Sequence, residues 1–195
     1  YSIEKFLVAR RLMYWQVYMH KGVIASDTVL INMLKRAHEL AKKGEKLFAT
    51  PPLEYFLYNM VITLSDLNKD EFLMHFSELD DNDIICSAKV WSTNQDPVLS
   101  YLCKSFVNRK LFKIEIGKSP FSKTRIKELE NIVCEQFNID SSLGSYFVNS
   151  GIISNHAYKN HDDDIKILSK DGNIRNIQDI SEILNISVLS SDSRK

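Results

Sequence analysis

Residues 4–21, EKFLVARRLMYWQVYMHK, carry the clearest helical pattern in this chain. At about 3.6 residues per turn, such a helix projects Arg10, Tyr14, Tyr18 and Lys21 from one side. Arginine offers planar donors suited to phosphate oxygens, and lysine a point charge. Tyrosine offers a ring that packs on a sugar or base while its hydroxyl forms a hydrogen bond. This face can therefore bind a polyphosphate, although the same residue types also occur on ordinary solvent-exposed helix faces.

The remainder of the first 110 residues also has helical spacing, and the character changes after Arg109. We predict a mainly α fold: a helical bundle over residues 1–110, followed by a small α+β domain over residues 111–195. The predicted helices are 3–21, 26–43, 53–60, 68–79, 81–91, 97–109, 121–137 and 178–184. The predicted strands are 111–116, 144–153 and 164–177, the last with a hairpin turn at Asp171-Gly172.

Composition limits the classes of function. The chain has 195 residues, 44% of them apolar, and 25 basic residues balance 25 acidic ones. A zero net charge gives no general attraction for nucleic acid or an anionic membrane, so any anion site must be local. Three scattered cysteines predict reduced, mostly buried thiols. No apolar run reaches about 18 residues and no signal peptide is visible, which favours a cytoplasmic protein.

The run RRLMYWQVYMHK, residues 10–21, resembles the R-x-x-x-Y-x-x-V-Y-x-H-K helix of HD-domain phosphohydrolases. This family includes bacterial dNTP triphosphohydrolases and the vertebrate SAM-and-HD-domain enzyme. Later blocks follow in the family's order, and the resemblance covers nearly the whole chain. They are LDDNDI (79–84), DPVL (96–99), NRKLFK (108–113), NHAY (155–158) and ILSKDG (167–172).

The resemblance implies metal-dependent hydrolysis of a dNTP to deoxynucleoside and triphosphate. The family holds a divalent metal (Mg, Mn, Fe or Zn) with a histidine, an adjacent His-Asp pair and a later aspartate. These ligands precede the residue 4–21 helix in the family, so we expect them upstream of residue 1, in an N-terminal HD portion. We therefore expect no catalytic residue or metal ligand in this chain, and no turnover by it alone. The His161-Asp162 pair lies in a polar loop between predicted strands and is interpreted as solvated.

The same resemblance assigns binding roles to particular residues. Arg10 corresponds to the family's arginine that contacts substrate phosphate, and Tyr18 to the tyrosine beside the substrate sugar. His20 and Lys21 correspond to positions that help to hold an allosteric nucleotide such as GTP or dGTP. Tyr14 is interpreted as a packing residue.

Two further cations, Arg109 and Lys113, correspond to residues that line a regulatory nucleotide site between subunits in some relatives, which implies a homo-oligomer. An equally good interpretation of this pair is a helix C-terminus whose cations complement the helix dipole.

The sequence also bears on two other classes of function. A non-catalytic nucleotide-binding or oligomerisation module is favoured by the missing metal ligands and by Gln16 and Met19, which depart from the family pattern. Nucleic-acid binding has little support, because the chain has neither a basic stripe with a recognition helix nor an RNP-like pattern.

Overall fold

The structure is a computed structural model that describes residues 2–59, 63, 65, 69–117, 119–152 and 165–177. This part of the chain is mostly helical and contains one small antiparallel sheet, which confirms the predicted fold class. The α-helices are α1 (Ser2–Met13), α2 (Lys21–Lys42), α3 (Pro51–Tyr58), α4 (Asp70–Glu78), α5 (Asp81–Trp91), α6 (Pro97–Val107) and α7 (Lys123–Phe137). A π-helical segment covers Tyr14–Tyr18, a 3₁₀ segment covers Ser141–Tyr146, and the strands are β1 (Lys166–Leu168) and β2 (Ile174–Asn176).

The chain divides into two compact units, which are described separately. Unit 1 comprises Tyr1–Ile24, Ile114–Ser122 and Ser150–Lys195, and unit 2 comprises Ala25–Lys113 and Lys123–Asn149. The predicted boundary at residues 110/111 stays a prediction.

Unit 2 is built around the apolar stripe of α2. Val29, Met33 and Ala37 follow one another at four-residue spacing and are fully buried. They join a single core with side chains of α5 and α6, which pack against each other. Trp91, at the end of α5, is 1% exposed, and its indole N–H donates a 2.8 Å hydrogen bond to the Phe48 carbonyl. The apolar spacing in the sequence therefore builds this core.

Unit 1 contains the antiparallel β1–β2 hairpin. Its register pairs Lys166 with Asn176 and Leu168 with Ile174, and Gly172 in the turn has φ of 82°, a conformation that favours glycine. Ile177, directly after β2, is buried against Leu7 of α1. The predicted hairpin turn at Asp171-Gly172 is confirmed.

The predicted single helix over residues 3–21 is wrong. The π-helical segment follows α1, and Met19 after it has a non-helical backbone, with φ −99° and ψ 15°. Helix α2 then begins at Lys21, so the break precedes Gly22. Lys21 therefore does not share a helix with Arg10 and Tyr18.

Two predicted strands are also wrong. Residues 111–116 form no strand, because Leu111 and Phe112 pack against the core of unit 2 instead. Residues 144–152 form none either, since the 3₁₀ segment occupies their beginning and buries Tyr146. The predicted helix 178–184 and the His161-Asp162 pair lie outside the described residues.

Candidate functional site

Arg10, Tyr14 and Tyr18 form a row of side chains, here called the Arg–Tyr–Tyr row. The Arg10 Cζ lies 5.8 Å from the centroid of the Tyr14 ring. The Tyr14 and Tyr18 ring centroids are 5.1 Å apart, with an angle of 51° between the ring planes. Both separations lie within the ranges of attractive cation–π and aromatic contacts. Arg10 and Tyr18, the two residues predicted to bind substrate, thus contact the same intervening ring.

The row is open to solvent. Arg10 is exposed, Tyr14 is half-buried and Tyr18 is 54% exposed. A guanidinium and a phenol that reach solvent from neighbouring turns can bind a phosphate oxygen and stack on a sugar or base. This arrangement provides binding groups but no general acid, general base or nucleophile.

A π-helical segment creates the local backbone of the row. The Met19 N–H donates a 2.8 Å hydrogen bond to the Tyr14 carbonyl, five residues earlier. Single wide turns of this kind are rare and often occur at functional sites. The sequence YWQVY gave no signal for it, because no residue type is specific for a π-helical turn.

His20 begins α2. Its Nδ1 accepts a 3.1 Å hydrogen bond from the Gly22 N–H, and its carbonyl accepts hydrogen bonds from the N–H groups of Val23 and Ile24. This side chain therefore acts as an N-cap. Lys21 follows as the first residue of α2 and is exposed. The regulatory role of both residues stays a prediction.

Arg109 lies just after α6 in the left-handed backbone region, with φ of 54°. The Lys110 N–H donates to the Ser105 carbonyl at 2.9 Å and the Arg109 N–H to the Phe106 carbonyl at 3.2 Å, the bonds of a Schellman motif. Glycine is the usual residue at this position. Lys113 lies four residues later, in a segment without regular secondary structure, so the two cations do not share a helix face. Their role in regulatory nucleotide binding also stays a prediction.

The acidic blocks of the sequence form helix caps. Asp80 and Asp83 make a capping box at the start of α5: Asp80 accepts from the Asp83 N–H, and Asp83 accepts from the Asp80 N–H at 2.8 Å. The hydrogen bonds from the Asn82 side chain and N–H lower the pKa of Asp80. Asp96 caps α6 by accepting a 2.7 Å hydrogen bond from the Leu99 N–H.

Among the described residues, the most buried charged side chain is that of Arg36 in α2, which sequence reasoning missed. Its Nε and Nη2 donate to the two Asp96 carboxylate oxygens at 3.1 and 2.6 Å, and its Nη1 donates to Glu39 at 3.2 Å. The Arg36 and Asp96 side chains are 7% and 11% exposed. Burial favours protonation of Asp96, but the Arg36 hydrogen bonds and the Leu99 N–H outweigh it and lower the pKa. A cation inside the apolar stripe of α2 was the signal that could have revealed this pair.

Tyr146 completes the group around Arg36. The Arg36 Cζ lies 5.7 Å from its ring centroid, and the Tyr146 carbonyl accepts a 2.9 Å hydrogen bond from the Asn32 side chain. Burial and the hydrogen bond to Glu39 raise the pKa of Tyr146 to about 12. These contacts join α2, α6 and the 3₁₀ segment, so the group stabilises the fold of unit 2.

The part of the chain that the structure describes shows neither a metal-ligand group nor a membrane-spanning helix. There, no three or more histidine, cysteine, aspartate or glutamate side chains form a group that could hold a metal ion. Nor does this part contain a helix with the length and apolar character needed to cross a bilayer. Cys103 and Cys134 are buried free thiols and Cys86 is an exposed one, and burial raises the pKa of Cys103 to about 12.

The chain is similar to proteins that are already known. Over its whole length the chain matches a phosphohydrolase from Bacteroides thetaiotaomicron with a TM-score of 0.90 and 47% sequence identity. The chain is similar to part of a phosphohydrolase. It covers 48% of that protein's chain.

A second relative is the uncharacterized protein YwfO of Bacillus subtilis, which is 30% identical over 113 residues. The match includes 58% of this chain and 24% of YwfO. No protein-family model matches the sequence. The chain thus spans less than half the length of both relatives.

Proposed function

We propose that this chain is part of a metal-dependent HD-family phosphohydrolase that converts dNTPs to deoxynucleoside and triphosphate. The observation that carries the proposal is the 47% identity, over the entire chain, to a phosphohydrolase of about twice its length. The exposed Arg–Tyr–Tyr row supports it, because the row presents groups suited to a nucleotide. In this proposal the Arg10 guanidinium holds phosphate charge and the Tyr18 ring packs beside the sugar.

A divalent metal (Mg, Mn, Fe or Zn) is the proposed cofactor. Such an ion supplies a water nucleophile and polarises phosphoryl oxygens when it is bound. In the family that the sequence resembles, the metal ligands precede the residue 4–21 helix, and we place the ion in an N-terminal HD portion of the enzyme. This chain then binds and orients substrate and performs no proton transfer.

The test uses the full-length protein with Mg²⁺ or Mn²⁺ and a panel of dNTPs, and measures release of tripolyphosphate. Arg10→Gln should lower kcat/KM by about 100-fold, since it removes a charge-assisted contact to the transferred phosphoryl chain. Lys5→Gln is the control, because Lys5 is an exposed cation on the same helix. No tripolyphosphate release with either metal, or equal losses in the two variants, would contradict the proposal.

We also propose that the enzyme is a cytoplasmic homo-oligomer regulated by GTP or dGTP, with His20 and Lys21 as one pair of nucleotide contacts and Arg109 and Lys113 as another pair, between subunits. The strained backbone of Arg109 supports this role, because such conformations concentrate at ligand sites. A titration with GTP and dGTP would test it: Arg109→Ala should weaken binding, and unchanged affinity would remove the regulatory proposal.

A second candidate is a non-catalytic nucleotide-binding or oligomerisation module. It is favoured by Gln16 and Met19, which depart from the pattern of the family that the sequence resembles. The turnover assay above separates the two, because a module binds nucleotide but releases no tripolyphosphate under any metal.

A further inference from the structure

Tyr14 lies at the centre of the Arg–Tyr–Tyr row. Its ring contacts the Arg10 guanidinium at 5.8 Å and the Tyr18 ring at 5.1 Å. Arg10 and Tyr18 are eight positions apart in the sequence, and each of them contacts this ring. Tyr14 therefore contacts both residues that the proposed function assigns to substrate.

A role for Tyr14 in core packing is not what its surroundings indicate. The apolar cluster of unit 1 consists of buried Leu7 and Ile177, with Ile165 and Ile167 against them, among the described residues. Tyr14 is only half-buried, and its two described ring contacts are with the row. The described ring contacts of Tyr14 are thus with Arg10 and Tyr18, outside that cluster.

The physical benefit is preorganisation. An exposed arginine side chain samples many rotamers and loses that freedom when it holds a phosphate. A ring beneath the guanidinium restricts those rotamers before the ligand arrives, which lowers the entropic cost of binding. The π-helical bond from the Met19 N–H to the Tyr14 carbonyl fixes the backbone from which the ring projects.

We infer that Tyr14 is a positioning residue that holds the Arg10 guanidinium and the Tyr18 ring in one arrangement for the phosphate and the sugar of a nucleotide. The inference rests on the proposed function for the identity of the ligand. The ring performs this role, and the phenolic hydroxyl is dispensable. Tyr14→Phe should consequently behave as wild type, whereas Tyr14→Leu should not.

The first experiment observes the row without any ligand. In the full-length protein with labelled arginine, the NMR signals of the Arg10 side chain should show the ring-current shift of a group stacked on an aromatic face. Tyr14→Leu should abolish that shift and Tyr14→Phe should keep it. Phe6→Leu is the control, because it removes an exposed ring from the same helix but outside the row. An Arg10 signal that is identical in wild type and Tyr14→Leu would overturn the inference.

The second experiment titrates inorganic tripolyphosphate and dATP, which is not one of the proposed regulators, into the same variants. Tyr14→Leu should weaken binding of both by about threefold, the size of an exposed cation–π contact, with wild-type affinity in Tyr14→Phe and Phe6→Leu. Circular dichroism confirms that each variant keeps its helix content. Equal weakening in Tyr14→Phe and Tyr14→Leu, or wild-type affinity in both, would overturn the role of the ring.

The two experiments separate the inference from the proposed function. If wild type binds neither ligand while the Arg10 signal moves in Tyr14→Leu, the proposed binding of substrate by Arg10 and Tyr18 is wrong. The contact between Tyr14 and Arg10 is then still supported. If wild type binds tripolyphosphate and the Arg10 signal does not move, the contact stands and the positioning role of Tyr14 is wrong.

Discussion

Some single residues in the described part of this chain have an unusual backbone conformation or unusually close packing. Arg109 has φ of 54° and Asn138 has φ of 50°, and each ends a helix where glycine is the usual residue. Asparagine tolerates this conformation, whereas arginine is strained in it. The positive φ of Arg109 therefore lowers stability relative to glycine at the same position.

Arg109→Gly should raise the free energy of unfolding by about 1 kcal/mol, because glycine adopts positive φ without a Cβ clash. Chemical denaturation measures the change. Asn138→Gly is the matched comparison and should give a smaller gain. If the proposed regulatory site is real, the same Arg109→Gly variant should also bind GTP or dGTP more weakly. A loss of stability on Arg109→Gly would show that the strain is absent.

Gly144 is constrained by space. A Cβ at this position would lie 2.9 Å from the Glu130 Cβ and 3.0 Å from the Cys134 Sγ. Gly144→Ala should therefore lower the free energy of unfolding by about 1–3 kcal/mol, since α7 must move to admit the methyl group. Gly151→Ala is the control, because a Cβ there meets nothing within 4 Å. Thermal unfolding compares the two, and equal Tm values would contradict the close packing of α7 on the 3₁₀ segment.

At the scale of elements, three of the sequence blocks that resemble the family coincide with places where helices begin or end. LDDNDI provides the capping box of α5, DPVL provides the cap and first turn of α6, and NRKLFK ends α6. The Arg36–Asp96 pair adds a link from α2 to the start of α6. These blocks therefore stabilise the ends of helices, whatever ligand the complete protein binds.

Asp96→Asn tests this link. Asparagine still caps a helix, so the variant removes chiefly the charge that faces buried Arg36, and should lower the free energy of unfolding by about 3–5 kcal/mol at neutral pH. Asp80→Asn is the control: it changes an exposed cap and should have a far smaller effect. Denaturant titration measures both, and similar small losses would show that the pair contributes little.

The same pair predicts acid sensitivity. The pKa of Asp96 is lower in the folded chain than its unfolded value of about 3.9. Its contribution to stability is therefore present above about pH 4 and is lost as the pH falls through the folded value. Wild type should lose stability more steeply than Asp96→Asn below about pH 4. Parallel pH profiles would contradict the prediction.

At the scale of the whole molecule, most of the described apolar core lies in unit 2, whereas the Arg–Tyr–Tyr row lies in unit 1. Met33 is fully buried, and Ile31, two residues earlier on α2, is 51% exposed. The stability of unit 2 should thus depend on one face of α2.

Met33→Ala should lower the free energy of unfolding by about 2–5 kcal/mol, because it leaves a cavity in the core. Ile31→Ala, on the opposite face of the helix, should change it by only about 0.5 kcal/mol. Trp91 lies in the same core and its fluorescence reports unfolding in urea. Comparable losses in the two variants would mean that α2 is not oriented as described.

The sequence by itself determined the mainly helical class, the buried stripe of α2, the Asp171-Gly172 hairpin and the residues Arg10 and Tyr18 as candidates for ligand contact. Helical and turn signals depend on neighbours within a few residues, so local spacing suffices for them. The break at Met19, the strand-like residues 111–116 that form no strand, and the pairing of Arg36 with Asp96 were decided by tertiary structure. Leu111 and Phe112 pack against the core of unit 2, and Arg36 binds Asp96, 60 residues away; the break at Met19 follows a π-helical turn for which no residue type is specific. Spacing within a few residues therefore could not establish them.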